Sequence, residues 1–183
     1  MCALPTAFAR AALLLAVVAA GACAATTVHS YIDRGVDLQR YRTFAWGPSA
    51  ALSTGDPRLD NNEFFDTRVR LQVEKALTSR DFDKTTSEAP DLLVHYHASV
   101  TQEIDVRTLD RDYRYSEIAS YEPYVYDAGT LFVDLVDPRT NRLIWRGWYQ
   151  ASIDGVIDDQ RLLEGRIDDA VARILNRLPA RLY

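Results

Sequence analysis

Residues 129–152, GTLFVDLVDPRTNRLIWRGWYQAS, decide how this chain folds. Leu131, Val133 and Leu135 alternate with Phe132, Asp134 and Val136, the period of two expected of a strand with one buried face. Asp137-Pro138-Arg139-Thr140 then supplies a turn, because Asp favours its first position and Pro pre-sets φ at its second. Asn141 tolerates the left-handed conformation that closes such a loop into a return strand. On that strand Leu143, Trp145 and Tyr149 fall on one side, and Ile144, Arg146, Trp148 and Gln150 on the other. The stretch predicts a β-hairpin at the centre of a sheet.

The flanking sequence supplies the rest of that sheet and the helices that cover it. Downstream, Leu163, Ile167, Ala170, Val171, Ile174 and Leu178 recur at helical spacing, ahead of Pro179. Upstream, DLLVHYHASV (residues 91–100) alternates as a strand, with Leu92, Val94, Tyr96, Ala98 and Val100 on one face and Leu93, His95, His97 and Ser99 on the other. Before it, Phe65, Val69, Val73, Ala76 and Leu77 form the apolar stripe of a first helix. Asp60 is its expected N-cap, with Glu63 completing a capping box, and Asp81 takes the closing position usually held by Gly, with Phe82 folding back. Two further strands are expected over residues 28–32 and 41–46.

The predicted order is therefore β-β-α-β-β-β-α. A strand–helix–strand unit favours a parallel crossover, whereas the hairpin is antiparallel, so the sheet is mixed. Two amphipathic helices cover only one face of four to five strands. The expected fold is an α+β two-layer sandwich, with Val94, Tyr96, Val133 and Leu143 towards the helices.

Residues 1–22 do not belong to this domain. Arg10 precedes an apolar run over residues 11–20, and Ala20-Gly21-Ala22 leads to Cys23, the layout of a secretory signal peptide. Removing Arg10 with it leaves 20 basic against 26 acidic residues, a net charge of −6. A mildly acidic chain without a Lys/Arg block argues against nucleic acid as a partner. Of the two cysteines, Cys2 leaves with the leader, so no disulfide within the mature chain is expected. Small residues before Cys23 resemble a bacterial lipobox, which implies lipidation of Cys23, a tether over residues 23–27 and one domain over residues 28–183. Acyl chains contribute about 0.8 kcal/mol per buried CH₂, enough for two or more to anchor a protein firmly. Ala24, in place of the Asp associated with inner-membrane retention, favours the outer membrane, facing the periplasm.

The lipobox, YRTFAW (residues 41–46), the acidic start of the first helix, PDLLVHYHASV and above all GTLFVDLVDPRTNRLIWRG together resemble the DUF4136 family of bacterial envelope lipoproteins. The resemblance implies the fold and the envelope location but no catalytic residues, since the function of the family is unknown.

The candidate sites are weighed from their chemistry. His95 and His97, at i and i+2, project from one strand face and could share a metal with Glu103 or Asp105. No third ligand has a forced position, so a solvated or packed pair is the simpler reading. No phosphate loop, nucleophile elbow or carboxylate pair in catalytic arrangement is present in the sequence, and no cofactor is expected. Trp46, Trp145 and Trp148, with the tyrosines clustered over residues 103–128, are candidates for an aromatic groove taking a glycan or a peptide. Trp148 and Arg146, on the face the helices do not cover, are expected to form a binding surface with Tyr113, Tyr115 and Tyr124. The expected function is that of a non-enzymatic, lipid-anchored envelope protein binding a protein or envelope component. The alternatives are a metal-dependent hydrolase using His95 and His97, and an unlipidated soluble periplasmic binding protein.

Overall fold

The computed structural model describes residues 26–48, 53–104 and 125–180. Six strands form one sheet: β1 (Thr27–Ile32), β2 (Thr43–Trp46), β3 (Asp83–Lys84), β4 (Leu92–Ile104), β5 (Val125–Asp137) and β6 (Arg142–Ser152). Their spatial order is β1-β6-β5-β4-β2-β3. β2 runs parallel to β3 and β4, and every other pairing is antiparallel. Helices α1 (Glu63–Thr78) and α2 (Gln160–Leu175) complete the α+β domain. One strand exceeds the four to five expected. It is β3, whose two exposed polar residues carry no alternation that could announce it.

Each helix begins where a side chain satisfies free backbone N–H groups. Asp159 caps α2, accepting from the N–H of Arg161 and Leu162. On α1 the cap is Asn62, which accepts from the Phe65 N–H at 3.0 Å, in place of the expected Asp60. Asp60 serves the preceding loop, accepting from the Thr54 N–H and the Ser53 hydroxyl. After α1 the chain turns as its sequence predicts: Asp81 has φ 63°, and the Phe82 N–H donates back to the Leu77 carbonyl.

The apolar stripes of both helices face the sheet. Val69, Val73 and Leu77 of α1 and Ile167, Val171 and Ile174 of α2 meet Val94, Val133, Leu135 and Trp145, all of them buried. Arg68 ties the helices together through Glu164 at 2.7 Å and Asp168 at 2.5 Å.

The hairpin contains the one departure that matters for the site. Asp137 pairs with Arg142 and Val136 with Leu143, but the next pair is Leu135 with Trp145. Ile144 is the extra residue of a β-bulge, and it is buried. Trp145 accordingly lies with Leu135 in the core, whereas Leu143 pairs with Val136 on the opposite face and does not join the core as expected. Three successive apolar residues hide such a slip, because alternation cannot say which of them is surplus. Gly147 makes room for the Trp145 ring, since a Cβ there would lie 2.4 Å from its Cη2.

Candidate functional site

The bulge sets what the sheet shows on the side away from the helices. Beyond it, Asp134 pairs with Arg146, Phe132 with Trp148 and Thr130 with Gln150. β1 adds Tyr31 beside Arg146 and His29 beside Trp148, and β4 adds His95 beside Asp134 and His97 beside Phe132. Two rows thus cross four strands. One reads His29–Trp148–Phe132–His97, and the next reads Tyr31–Arg146–Asp134–His95.

The first row is aromatic. Trp148 stacks against His29 at 5.3 Å between ring centroids and against Phe132 at 6.2 Å, with interplanar angles of 26° and 28°. Rings stacked this way along a row turn their faces to one another and offer their edges outward. The second row is ionic. Arg146 donates to Asp134 through Nε at 2.7 Å and Nη2 at 2.5 Å, a bidentate pair, while its guanidinium carbon stands 5.8 Å from the Phe132 centroid. Asp134 is only 4% exposed. The hydrogen bonds to Asp134 raise the Arg146 pKa, against the opposing effect of burial. Arg146 is therefore both a surface group and the counter-ion of a buried carboxylate, a duty that alternation alone did not disclose.

His95 and His97 do share this face, as their spacing predicts. The His95 imidazole lies across Gly47, where a Cβ would come within 2.1 Å of its Cε1. Burial lowers the pKa of His95, His97 lowers it further, and Asp134 opposes both. Glu103, one proposed third ligand, accepts instead from Gln150 at 2.6 Å and from the Tyr126 hydroxyl at 3.0 Å. Among the described residues, no group of three His, Cys, Asp or Glu side chains is arranged to hold a metal ion. Asp105, Tyr113, Tyr115, Tyr124 and Cys23 lie outside the described residues.

The three tryptophans do not form one groove. Trp145 is core and Trp148 lies on the open face. Trp46 belongs to the helix side, where its Nε1 donates to Glu74 at 2.7 Å and the Arg70 guanidinium carbon lies 4.6 Å from its ring centroid. Arg70 also pairs with Asp66, which accepts from the Tyr96 hydroxyl at 2.7 Å. Burial and this hydrogen bond raise the Tyr96 pKa well above the usual phenol value. Trp46, Phe65 and Tyr96 form one wall of a cavity of about 590 Å³ beside β4, which sequence reasoning did not anticipate. Its local signal in the sequence was Gly47-Pro48, which ends β2, so that the described pairing of β2 with β4 stops at Val94.

A mixed six-stranded sheet with two helices on one face and an aromatic–ionic strip on the other defines a two-layer α+β domain. The chain belongs to the DUF4136 family, a domain of unknown function, which matches residues 28–180. No curated protein matches it. Among solved structures, a PDZ domain protein from Parabacteroides distasonis is similar at a TM-score of 0.52 and 18% identity, over 86% of this chain and 37% of that one. This chain thus spans little more than a third of that protein, and the likeness is one of fold. PelC from Paraburkholderia phytofirmans, solved as a dodecamer, aligns over 86% of this chain and 99% of its own at TM-scores of 0.44 and 0.46, with 16% and 14% identity. Among the described residues no helix is long and apolar enough to cross a membrane.

Proposed function

We propose that this protein is a non-enzymatic lipoprotein of the bacterial envelope. In this reading it is anchored to the outer membrane through Cys23, faces the periplasm, and binds a protein partner on the open face of its sheet. The observation that carries the reading is the row His29–Trp148–Phe132–His97 beside the Arg146–Asp134 pair. Aromatic and Arg side chains dominate protein interfaces because they bring large contact area and directional hydrogen bonds at modest entropic cost. The edge-outward stacking favours a protein over a glycan, because sugar rings pack on exposed aromatic faces and these faces are turned to one another.

Two substitutions test the two halves of the reading. Cys23→Ser should move the protein from the membrane to the soluble fraction, and a mature N-terminus without acyl chains by mass spectrometry would refute the anchor. Trp148→Ala combined with His29→Ala removes the aromatic row without unpairing a buried charge. It should abolish crosslinking to the partner in intact envelopes while the melting temperature stays close to wild type. Retained crosslinking would refute the surface, and crosslinking to glycan in place of protein would redirect it.

A further inference from the structure

The two edges of the sheet are built differently. β3, at one edge, is two residues long, and both of them, Asp83 and Lys84, are exposed and charged. A short, charged edge discourages pairing with other chains. β1, at the other edge, is six residues long and reads TVHSYI, with no charge, no Pro and no Gly. It pairs with β6 in unbroken register from Thr27 to Ile32, so no bulge turns the edge away. The nearest charges in the sequence, Asp33 and Arg34, lie beyond its end, and Asp33 is engaged by Arg142 of β6. Every residue of β1 except Val28 is exposed.

Register decides which backbone groups face outward. The Asp33 N–H donates to the Ile144 carbonyl of β6 at 3.0 Å, and the β1–β6 register, continued by one pair, sets these two residues opposite each other. Thr27, His29 and Tyr31 share that parity and turn their backbone groups towards β6, so Val28, Ser30 and Ile32 turn theirs away. No described residue pairs with the N–H and C=O groups of these three, and the exposure of Ser30 and Ile32 is that of an uncovered edge.

We propose that β1 pairs with β1 of a second copy of this chain, antiparallel about a twofold axis at Ser30. A twofold contact needs a patch that complements itself, and this edge does. With Ser30 opposite Ser30 of the second copy, Val28 meets Ile32 and Ile32 meets Val28. It is the one twofold register in which all three outward residues of each β1 meet outward residues of the other. The side chains agree with it. Val28 and the exposed Ile32 cover each other on the helix side, while His29 meets Tyr31 of the second copy on the open face. The two Asp33 carboxylates end about 20 Å apart, six residues along the strand, so like charges do not meet. The helices have room as well. α2 lies over β6, where Asp169 accepts from the Tyr149 hydroxyl. The β6 strands of the two copies, three spacings apart, stand about 14 Å from each other, beyond the roughly 8–10 Å of packed helices. The pairing rests on the edge alone and holds or fails independently of the partner-binding reading.

The experiment places one cysteine at a time in the full chain and treats intact cells with a short bismaleimide crosslinker. Ser30→Cys sits at the axis, opposite itself. Thr27→Cys is also exposed, but its two copies lie about 20 Å apart in this register, beyond the reach of the crosslinker. The unsubstituted chain, with Cys2 and Cys23, sets the background. Ser30→Cys should give a band at twice the mass of the chain, about tenfold stronger than that from Thr27→Cys. That mass tells a second copy from any other partner. Ser30→Pro removes an outward N–H and no rung of the β6 ladder, so it should weaken the dimer about tenfold or more by light scattering on the detergent-solubilised chain. Equal bands from Ser30→Cys and Thr27→Cys, or none above background, would overturn the proposal. So would a dimer that persists unchanged in Ser30→Pro, or a Ser30→Cys band of another mass, which would give the edge to a strand of a different protein. The cysteine pair decides the matter even if Ser30→Pro lowers stability, because Ser30→Cys only exchanges oxygen for sulfur on an exposed residue.

Discussion

The two faces of one sheet were built by the same strands under opposite rules. Towards the helices, Val94, Val133, Leu135 and Trp145 are fully buried in a predominantly apolar layer. On the other side the same strands carry His95, His97, Phe132, Asp134, Arg146 and Trp148, a mixture of rings and charges that no hydrophobic core requires. Burial of an apolar side chain contributes about 1.5–3 kcal/mol, so the helix face carries the larger share of the hydrophobic stabilisation. The open face contains a half-buried ion pair, which is weak evidence for stability because the desolvation of Asp134 offsets much of its Coulomb energy. On the reading proposed above, a face that concentrates aromatic and Arg side chains is explained by the partner it meets.

The largest effect that can break this comparison is expected on the helix face. Val133→Asp places an unpaired carboxylate among fully buried residues, at a cost of several kcal/mol. The domain should unfold or lose most of its thermal transition, and a wild-type melting temperature would mean that β5 presents its other side to the core. A smaller effect comes from the ion pair. Arg146→Ala strands the buried Asp134 and should cost about 2 kcal/mol by denaturant unfolding, discounted for the partial exposure of Arg146. Adding Asp134→Val to that variant should recover most of the loss. If both variants are equally destabilised, the pair is not what holds Arg146 in place.

The hairpin shows how far the sequence could be read. Its turn was legible: Asp137, Pro138 and Asn141 each favour the conformation they adopt, and Asn141 has φ 53°. So were Trp145 inside and Trp148 outside. The bulge was not, because Leu143, Ile144 and Trp145 are all apolar and any of them suits a core. Yet the bulge is what matters to the site, since without the extra residue Asp134 would lie opposite Trp145, with Arg146 one position along. The place of β1 beside β6, which brings His29 to Trp148, is a long-range pairing that no local pattern announces. The cap of α1 moved from Asp60 to Asn62 for a similar reason, as the loop at Ser53 and Thr54 claimed Asp60 first.

A finer effect separates the faces by pH. Burial lowers the pKa of His95, so the folded domain resists a proton that the unfolded chain accepts near pH 6.5. Stability should therefore fall as pH drops below about 6.5, and His95→Gln should remove that part of the decline when melting temperatures are compared between about pH 7 and 5. An unchanged pH profile would place the His95 imidazole in water. Smallest of all should be the thermal effect of Trp148→Ala with His29→Ala, at most about 1 kcal/mol by calorimetry, since His29 is exposed and Trp148 only half-buried. A loss of several kcal/mol would make the row part of the core.

The central claim is that the open face, and not the helix side, meets the partner. It is tested most directly by placing a photo-crosslinking amino acid at Tyr31, 49% exposed on the open face, and separately at Leu71, 53% exposed on α1, and irradiating intact cells. Equal exposure makes the two positions fair competitors. The account predicts a discrete crosslinked protein band from Tyr31 and none from Leu71. The same band from both positions, or from Leu71 alone, would contradict it.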